Sequence, residues 1–435
     1  MTAISSRQSA ARPRAHLLVM AVAVAVSLAG AMGVPSGRVS AASASFTLVD
    51  AGVNGSELNI GVGPDGAVYV GGWDAVARSL DGGASWDRVQ PGKLASAVGF
   101  GADRVLVVDH QTGVVFEEDT TLGCTVLSYS KTHGSNWKTN PAACGAGATD
   151  HAKVAVGPRV APYKKNPSGA LYPNLVYVCA NGLTHDDCGV SADGGLTFQP
   201  TTPHGIGCAF QGTPVVSSAG VLYEPTSACG LQVRSTANAG TTWTETGVGF
   251  PTSSETPDIA VTPDGTLYLA YIDSGWRPAL ARSTDGGASW TGPYSLAAPG
   301  ITSSLFPVVV AGADGRIAVA YYGTTDGGAG WDLNPGNAPD NVRWNGYITV
   351  IDDAAGASPT VAPQQVTTDP LQYGCLSKLG GCLNNIADYA DIDAGPDGRV
   401  YAVFVDGCLP GCTGKAGSTS DRAIVAVQTG GTFLR

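Results

Sequence analysis

Residues 79–86 read Ser-Leu-Asp-Gly-Gly-Ala-Ser-Trp, and the phrase returns at 283–290 as Ser-Thr-Asp-Gly-Gly-Ala-Ser-Trp. Four looser copies keep its outline with one or more replacements, at 130–137, 191–198, 236–243 and 324–331. We call this phrase the octapeptide. A phrase that recurs at intervals of roughly 40 to 60 residues indicates a fold built from copies of one supersecondary unit.

The chemistry of the octapeptide predicts a turn between two strands. Asp supplies a short acceptor for the backbone of its own turn, and the following Gly tolerates a positive φ. The closing Trp or Phe begins the outgoing strand and packs its ring between neighbouring sheets. One ligand or calcium pocket does not need six copies, so we interpret the octapeptide as a structural element.

A second repeat predicts a hairpin earlier in each unit. Residues 63–70 read Gly-Pro-Asp-Gly-Ala-Val-Tyr-Val, and similar Asp-Gly phrases occur at 262–269, 313–319 and 396–402. Asp-Gly between alternating apolar residues is a strong hairpin signal. Each hairpin would join the first two strands, A and B, of a four-stranded unit, and the octapeptide would join strands C and D.

The repeats predict an all-β protein, a single β-propeller of seven four-stranded blades over residues 45–435. Seven A–B strand pairs can be placed, but the last, Tyr389 to Val405, is followed by only one clear strand, Ala423 to Gln428. The segment Phe46 to Val49 is expected to supply the missing strand, so that the two ends of the chain close the ring and leave no exposed edge. Six blades is the alternative.

The octapeptide is identified as the Asp-box, or BNR repeat, and the chain resembles the sialidase-like superfamily of β-propellers. The resemblance is strongest at Asp81, Asp193, Asp285 and Asp326. In that superfamily the boxes lie on the turn between strands C and D, away from the active site, which implies a structural role here. Residues 303–406 are also similar to secreted bacterial BNR-repeat proteins.

The first 44 residues have the pattern of a secretory signal peptide. Arg7, Arg12 and Arg14 precede an apolar run from Leu17 to Met32, and a small-residue cleavage site follows at 42–44. This organisation predicts cleavage and secretion, although a single N-terminal membrane anchor is the alternative.

Charge limits the partners of the mature chain. Removal of residues 1–44 takes away four Arg and no acidic residue, so the remainder is more acidic than the formal net charge of −11. No basic stripe is present, and we therefore expect no nucleic-acid partner. We expect a monomer that has no membrane contact after signal cleavage.

Ten cysteines fit an oxidising, extracellular setting. They fall into local pairs, and proximity suggests five disulfides: Cys124–Cys144, Cys179–Cys188, Cys208–Cys229, Cys375–Cys382 and Cys408–Cys412. Sequence alone does not fix this connectivity. A zinc site at Cys408-x-x-x-Cys412 is a weaker interpretation, because no matching Cys/His pair stands nearby. The disulfides are expected to staple loops at one face of the propeller and pre-shape a pocket there.

The sialidase active site is not carried over by the resemblance. Sialidases need an arginine triad, and their first arginine usually lies in a Tyr/Phe-Arg-Ile-Pro phrase that this chain lacks. Three arginines share a repeated place just before the octapeptide, and three others have no marked surroundings: Arg78, Arg234 and Arg282, then Arg159, Arg277 and Arg343. Repeat-equivalent arginines do not converge on one pocket, so sialidase activity is not expected.

Acids and aromatics near the ends of strands A and B predict a site at one rim. We expect Asp258 and Asp391 to be catalytic with Tyr389 as a third member, and a further set to bind substrate: Asp150, Asp273, Trp276 and Arg277. Paired carboxylates and rings suit glycoside hydrolysis. The predicted partner is an extracellular glycan or glycoprotein. The alternatives are a non-catalytic glycan- or protein-binding propeller, and acids that only solvate turns or line a water-filled channel.

No cofactor is expected, with calcium as the alternative. Asp391-x-Asp393-x-Gly395 resembles part of a calcium loop, but position twelve is Ala402 instead of Glu.

Overall fold

The fold consists of short antiparallel strands separated by turns. The computed structural model describes residues 43–73, 75–90, 104–120, 125–140, 143, 150–165, 172–182, 184–208, 211–327, 333–376, 390–408 and 420–435. The predicted signal peptide therefore lies almost wholly outside the described residues. Within them, no helix is long and apolar enough to cross a membrane.

The strands of the first half are β1 (Ser45–Asn54), β2 (Asn59–Val62), β3 (Val68–Gly71), β4 (Val76–Ser79), β5 (Asp87–Val89), β6 (Arg104–Val108), β7 (Val115–Thr120), β8 (Thr125–Ser130), β9 (Lys138–Asn140), β10 (Asp150–Gly157), β11 (Leu175–Asn181), β12 (Asp186–Ser191) and β13 (Gln199–Pro200). Those of the second half are β14 (Val215–Val216), β15 (Leu222–Thr226), β16 (Gln232–Thr236), β17 (Thr244–Gly247), β18 (Asp258–Val261), β19 (Leu267–Ile272), β20 (Pro278–Ser283), β21 (Thr291–Ser295), β22 (Ser303–Ala311), β23 (Ile317–Thr324), β24 (Arg343–Ile351), β25 (Gln364–Gln365), β26 (Gln372–Tyr373), β27 (Asp391–Ala394), β28 (Val400–Asp406) and β29 (Arg422–Gly430). One 3-10 turn, Pro335–Asn337, lies between β23 and β24.

These strands form seven sheets, which confirms the predicted seven-bladed propeller. Blades one to five are β2–β5, β6–β9, β10–β13, β14–β17 and β18–β21, blade six is β22–β25 with β26 added beside β24, and blade seven is β27–β29 with β1. The first strands of successive blades contact one another around the ring, and β27 contacts β2 to complete it. They therefore surround a central channel.

The N-terminal strand closes the ring as expected. β1 pairs antiparallel with β29, so that Phe46 lies opposite Gln428 and Val49 opposite Val425. The chain ends thus share one sheet, which gives blade seven the four strands of the repeat. The apolar core continues between blades six and seven, where Tyr322 of β23 and Phe404 of β28 pack edge to face at 5.4 Å between ring centroids.

The octapeptide forms the C–D turn, and its polar atoms are satisfied within the turn. Asp81 Oδ1 accepts hydrogen bonds from Ser79 Oγ at 2.7 Å and from the Ser85 amide at 2.8 Å. Ser79 Oγ accepts from the Gly83 amide at 2.8 Å, where Gly83 has a φ of +92°. The hydrogen bonds from Ser85 lower the pKa of Asp81 to about 2.

The same contacts recur at four other copies, centred on Asp193, Asp285, Asn238 and Thr132. At 324–331 the arrangement differs. Arg343 donates to both oxygens of Asp326, at 2.9 Å from Nε and 2.7 Å from Nη2. Residues 328–331 of that copy lie outside the described residues. The structural interpretation of the octapeptide is confirmed where its turn can be traced.

Two predicted disulfides are present, Cys179–Cys188 and Cys208–Cys229. The first joins opposite residues on β11 and β12. Cys375 and Cys408 are also disulfide-bonded. Each of the three remaining predicted pairs includes a cysteine outside the described residues.

Candidate functional site

The central channel contains the two acids predicted to be catalytic. Asp258 begins β18 and Asp391 begins β27, and both line one cavity of about 40 Å³ together with Lys153 of β10. The structure therefore brings this pair together, because the first strands of all blades run side by side around the axis. A cavity of this size holds roughly two or three waters.

Each of these acids is held by the backbone of the following blade. Asp258 Oδ2 accepts from the Val309 amide of β22 at 2.7 Å. Asp391 Oδ2 accepts from the Ile60 amide of β2 at 2.8 Å. The two carboxyls thus connect the first strands of neighbouring blades by hydrogen bonds.

Burial dominates the electrostatics of the channel. It raises the pKa of Asp258 to about 7, against the lowering effect of the Val309 and Ile259 amides and of Lys153. Burial raises the pKa of Asp391 to about 8, and the charge of Asp258 adds to that shift. Carboxyls with such pKa values can exchange protons near neutral pH.

The remaining predicted catalytic residue, Tyr389, lies outside the described residues. Asp150 begins β10, but its side chain is not among those described. Three predicted substrate-binding residues form one turn between β19 and β20, at the rim. There Asp273 Oδ1 accepts from the Gly275 amide at 2.8 Å and from the Arg277 amide at 3.0 Å. Trp276 is half-buried against the core, while Arg277 is exposed.

The carboxylates of the predicted calcium motif make protein contacts. Asp393 Oδ2 accepts from the Val62 amide at 2.7 Å and lies 2.9 Å from His110 Nε2. The negative charge of Asp393 raises the pKa of His110 to about 9. Asp391 and Asp393 therefore both join blade seven to blade one.

A second concentration of ionisable groups lies between blades three and four. Arg234 of β16 is fully buried and pairs with Asp186 of β12 and with Glu224 of β15, the latter at 3.1 Å. Arg234 Nη2 also donates to the carbonyl of Cys208 at 2.6 Å. Because Asp186 and Glu224 are equally buried, Arg234 supplies the charge that makes their burial tolerable.

His204 joins this cluster from the loop between the blades. Its Nε2 lies 3.1 Å from both carboxylate oxygens of Glu224, and its ring stacks on Trp243 at 3.7 Å between centroids. Burial disfavours the imidazolium, but the charge and hydrogen bond of Glu224 outweigh it, so the pKa of His204 is raised. His204 is consequently protonated more readily than a free histidine.

This cluster borders an open groove of about 340 Å³, which we call the blade-four groove. It is lined by Thr202, Pro203, His204, Ile206, Trp243 and Glu245. Ile206 is 78% exposed, and Glu245 Oε1 accepts from the Gly205 amide at 2.9 Å. The volume falls within the range of about 300 to 1,000 Å³ found for ligand sites.

The sequence prediction that placed Arg234 with Arg78 and Arg282 was wrong. Arg78 and Arg282 stand one residue before Ser79 and Ser283, whereas Arg234 stands two residues before Thr236. Side chains alternate along a strand, so this offset puts Arg234 on the opposite face. Arg78 reaches the His133 carbonyl in blade two at 2.7 Å and Arg282 the Ala354 carbonyl in blade six at 2.9 Å, each in the following blade.

No protein-family model and no curated protein sequence matches the chain. Solved structures do match. One chain of a mitotic checkpoint complex is 10% identical with a TM-score of 0.54, over 95% of this chain and 99% of its own. YCF48 bound to D1 peptide is 12% identical with a TM-score of 0.49, over 88% and 97% respectively. The Hadza microbial sialidase Hz136 is 15% identical with a TM-score of 0.39, over 85% and 65% respectively. At such identities the likeness shows the fold alone.

Proposed function

We propose that the mature chain is a secreted, sialidase-like BNR-repeat propeller that binds an extracellular glycan or glycoprotein without cleaving it. The observation that carries this proposal is the contrast in size between the two candidate sites. The central cavity is about 40 Å³, whereas the blade-four groove is about 340 Å³ and open to solvent. Only the groove has the volume for a sugar ring.

The lining of the groove supports a carbohydrate ligand. Sugars combine apolar ring faces with many hydroxyl groups, so their sites combine exposed apolar surface with fixed polar groups. Ile206 and Pro203 supply apolar surface, and Glu245 and Thr202 supply oxygen acceptors. The buried cluster of Arg234, Asp186 and Glu224 lies beneath the groove and holds its lining in place, as a pre-organised site requires.

The contacts of the channel argue against hydrolysis there. Glycoside hydrolases place two carboxyl groups on either side of the scissile bond, with a sugar between them. Asp258 and Asp391 instead each accept a hydrogen bond from a backbone amide of the next blade. The cavity that they share has room only for water-sized molecules. Two arginines considered for a clamp are also engaged elsewhere, Arg159 by the Pro173 carbonyl and Arg343 by Asp326.

One observation favours a hydrolase as the second candidate. The pKa values of Asp258 and Asp391 are raised into the neutral range, and perturbed carboxyls that share a cavity are typical of acid–base catalysis. This candidate requires that substrate enters the channel.

Secretion is supported by the pattern of residues 1–44 and by the two disulfides seen, since disulfides persist in oxidising compartments.

The test is a glycan panel screened with the disulfide-intact mature protein for both binding and sugar release. We expect binding without release, and binding that is unchanged in the Asp258→Asn and Asp391→Asn variants. Sugar release that disappears in either variant would establish the hydrolase instead. Binding to no glycan of the panel would refute the proposed function.

A further inference from the structure

Among the side chains of the blade-four groove, the exposed polar ones offer hydrogen-bond acceptors and those that carry N–H groups are buried or half-buried. Arg234 is fully buried, with its Nη atoms directed at Glu224, Asp186 and the Cys208 carbonyl. The Nε2 atom of His204 is directed at Glu224, and the indole nitrogen of Trp243 is buried. These three side chains therefore shape the groove without presenting an N–H to its interior.

The exposed polar side chains that line the groove are those of Glu245 and Thr202. The Glu245 side chain is 42% exposed, and its Oε1 already accepts from the Gly205 amide. A carboxylate accepts through two oxygens, so further acceptor sites remain. The Thr202 hydroxyl donates to the Thr241 carbonyl at 2.9 Å, which leaves its oxygen as an acceptor. These side chains therefore favour a ligand that carries hydrogen-bond donors.

The exposed carboxylate of the groove lies farther from Arg234 than the two buried carboxylates do. The guanidinium of Arg234 lies near three carboxylates, Asp186, Glu224 and Glu245, and His204 contacts Glu224. The nearest ion-pair atoms of Arg234 and Glu245 are 4.0 Å apart, whereas those of Arg234 and Glu224 are 3.1 Å apart. Arg234 therefore makes its closer contacts in the interior. Glu245 is the exposed member of the three carboxylates, so its charge lies at the wall of the groove.

We infer that the blade-four groove recognises a protonated amino group, and that its ligand is an oligosaccharide of amino sugars with free amines. This inference rests on the proposed glycan-binding function. The ammonium would donate to Glu245, while the apolar face of the sugar ring would lie against Ile206 and Pro203. An N-acetylated sugar loses the charge and replaces the ammonium with a neutral amide, so it lacks the charge-assisted hydrogen bond.

The test compares a β-1,4-linked glucosamine tetramer with the fully N-acetylated tetramer by titration calorimetry at low ionic strength and slightly acidic pH. We expect the free-amine tetramer to bind at least about tenfold more tightly, the size of one charge-assisted hydrogen bond. The Glu245→Gln variant keeps an acceptor for the Gly205 amide and should lose that preference.

Asp87 provides the matched control. It lies on the outermost strand of blade one directly opposite Arg78, as Glu245 lies opposite Arg234 in blade four. The Asp87→Asn variant should bind both tetramers like the wild type.

Several outcomes would overturn the inference. Equal affinity for the two tetramers, or a preference that survives in Glu245→Gln, would leave glycan binding intact but remove the amine as its basis. Binding of neither tetramer alongside other glycans of the panel would do the same. If a lysine-rich peptide binds the protein more tightly than the free-amine tetramer does, and this binding depends on Glu245, the groove would recognise an amine of a protein partner. Binding to no glycan at all would refute the proposed function together with the inference.

Discussion

The central channel and the blade-four groove both bury ionisable groups, but they satisfy them differently. In the channel, Asp258 and Asp391 each accept an amide from the next blade. Beside the groove, Arg234, Glu224 and His204 satisfy one another through side chains. The channel contacts exploit geometry that every blade shares, whereas the cluster belongs to one blade pair. In this protein, residues that differ from the repeat pattern therefore indicate a specialised site better than residues that lie near the propeller axis do.

The largest effect is expected from removal of the central cation of the cluster. Arg234→Met leaves Asp186 and Glu224 buried without their shared partner, which should lower the free energy of unfolding by about 3 to 5 kcal/mol. Urea unfolding of the mature protein measures this loss.

Arg78→Met is the control, because Arg78 pairs with an Asp87 side chain that is 73% exposed. An exposed pair contributes only about 0 to 1 kcal/mol. Equal losses in the two variants would mean that the blade-four cluster is no more tightly coupled than a surface ion pair.

The disulfide beside the groove should matter more than the one inside blade three. Cys208–Cys229 closes a separation of 21 residues and Cys179–Cys188 one of nine. In the chain-entropy account the longer loop gives the larger stabilisation, with about 3 kcal/mol for a loop of this class. Thermal unfolding of the two double Cys→Ser variants measures both. The Cys208→Ser/Cys229→Ser variant should also bind glycan more weakly, since Cys208 anchors the loop that carries His204. Unchanged binding would contradict this role.

Loss of a channel hydrogen bond between neighbouring blades should lower the free energy of unfolding by less. Asp258→Ala removes the acceptor of the Val309 amide and should cost about 1 to 3 kcal/mol, the penalty of an unsatisfied buried donor. Asp258→Asn retains an acceptor oxygen and should cost clearly less. Similar losses in the two variants, measured by urea unfolding, would mean that the charge of Asp258 matters more than its hydrogen bond.

The last prediction concerns the pH dependence of stability. The folded-state pKa values of Asp258 and Asp391, about 7 and about 8, exceed the unfolded value of about 3.9. The folded state thus binds more protons than the unfolded state between about pH 4 and pH 8, and stability falls as pH rises through that window. Each group contributes a slope of up to about 1.4 kcal/mol per pH unit. Asp258→Asn together with Asp391→Asn should flatten the profile, and an unaltered slope would refute the assignment.

Much of the fold could be predicted from the sequence, because each blade repeats the same local turn chemistry. The Asp-Gly hairpins and the octapeptide gave the number of blades, and the lone strand after Val405 required closure by the segment beginning at Phe46. Asp258 and Asp391 could be placed together for the same reason, since both stand at the start of a first strand. What such reasoning could not supply was the size of the space between them.

The blade-four groove was missed because it depends on contacts between distant segments. His204 lies in a loop with no repeat signal. Its partner Glu224 lies opposite Arg234, at a position where blades one and five have an apolar residue, Val70 or Leu269, opposite an alanine. One signal was present, the position of Arg234 one residue further from the octapeptide than Arg78 or Arg282. Only the alternation of side chains along β16 gives that offset a meaning.

The most direct test of where the ligand lies is hydrogen–deuterium exchange of the mature protein with and without a saturating glycan. The account predicts slower exchange in the loop 201–208 and in β17, and no change in β2, β18 and β27. Protection confined to those three first strands, with none at the blade-four groove, would contradict it.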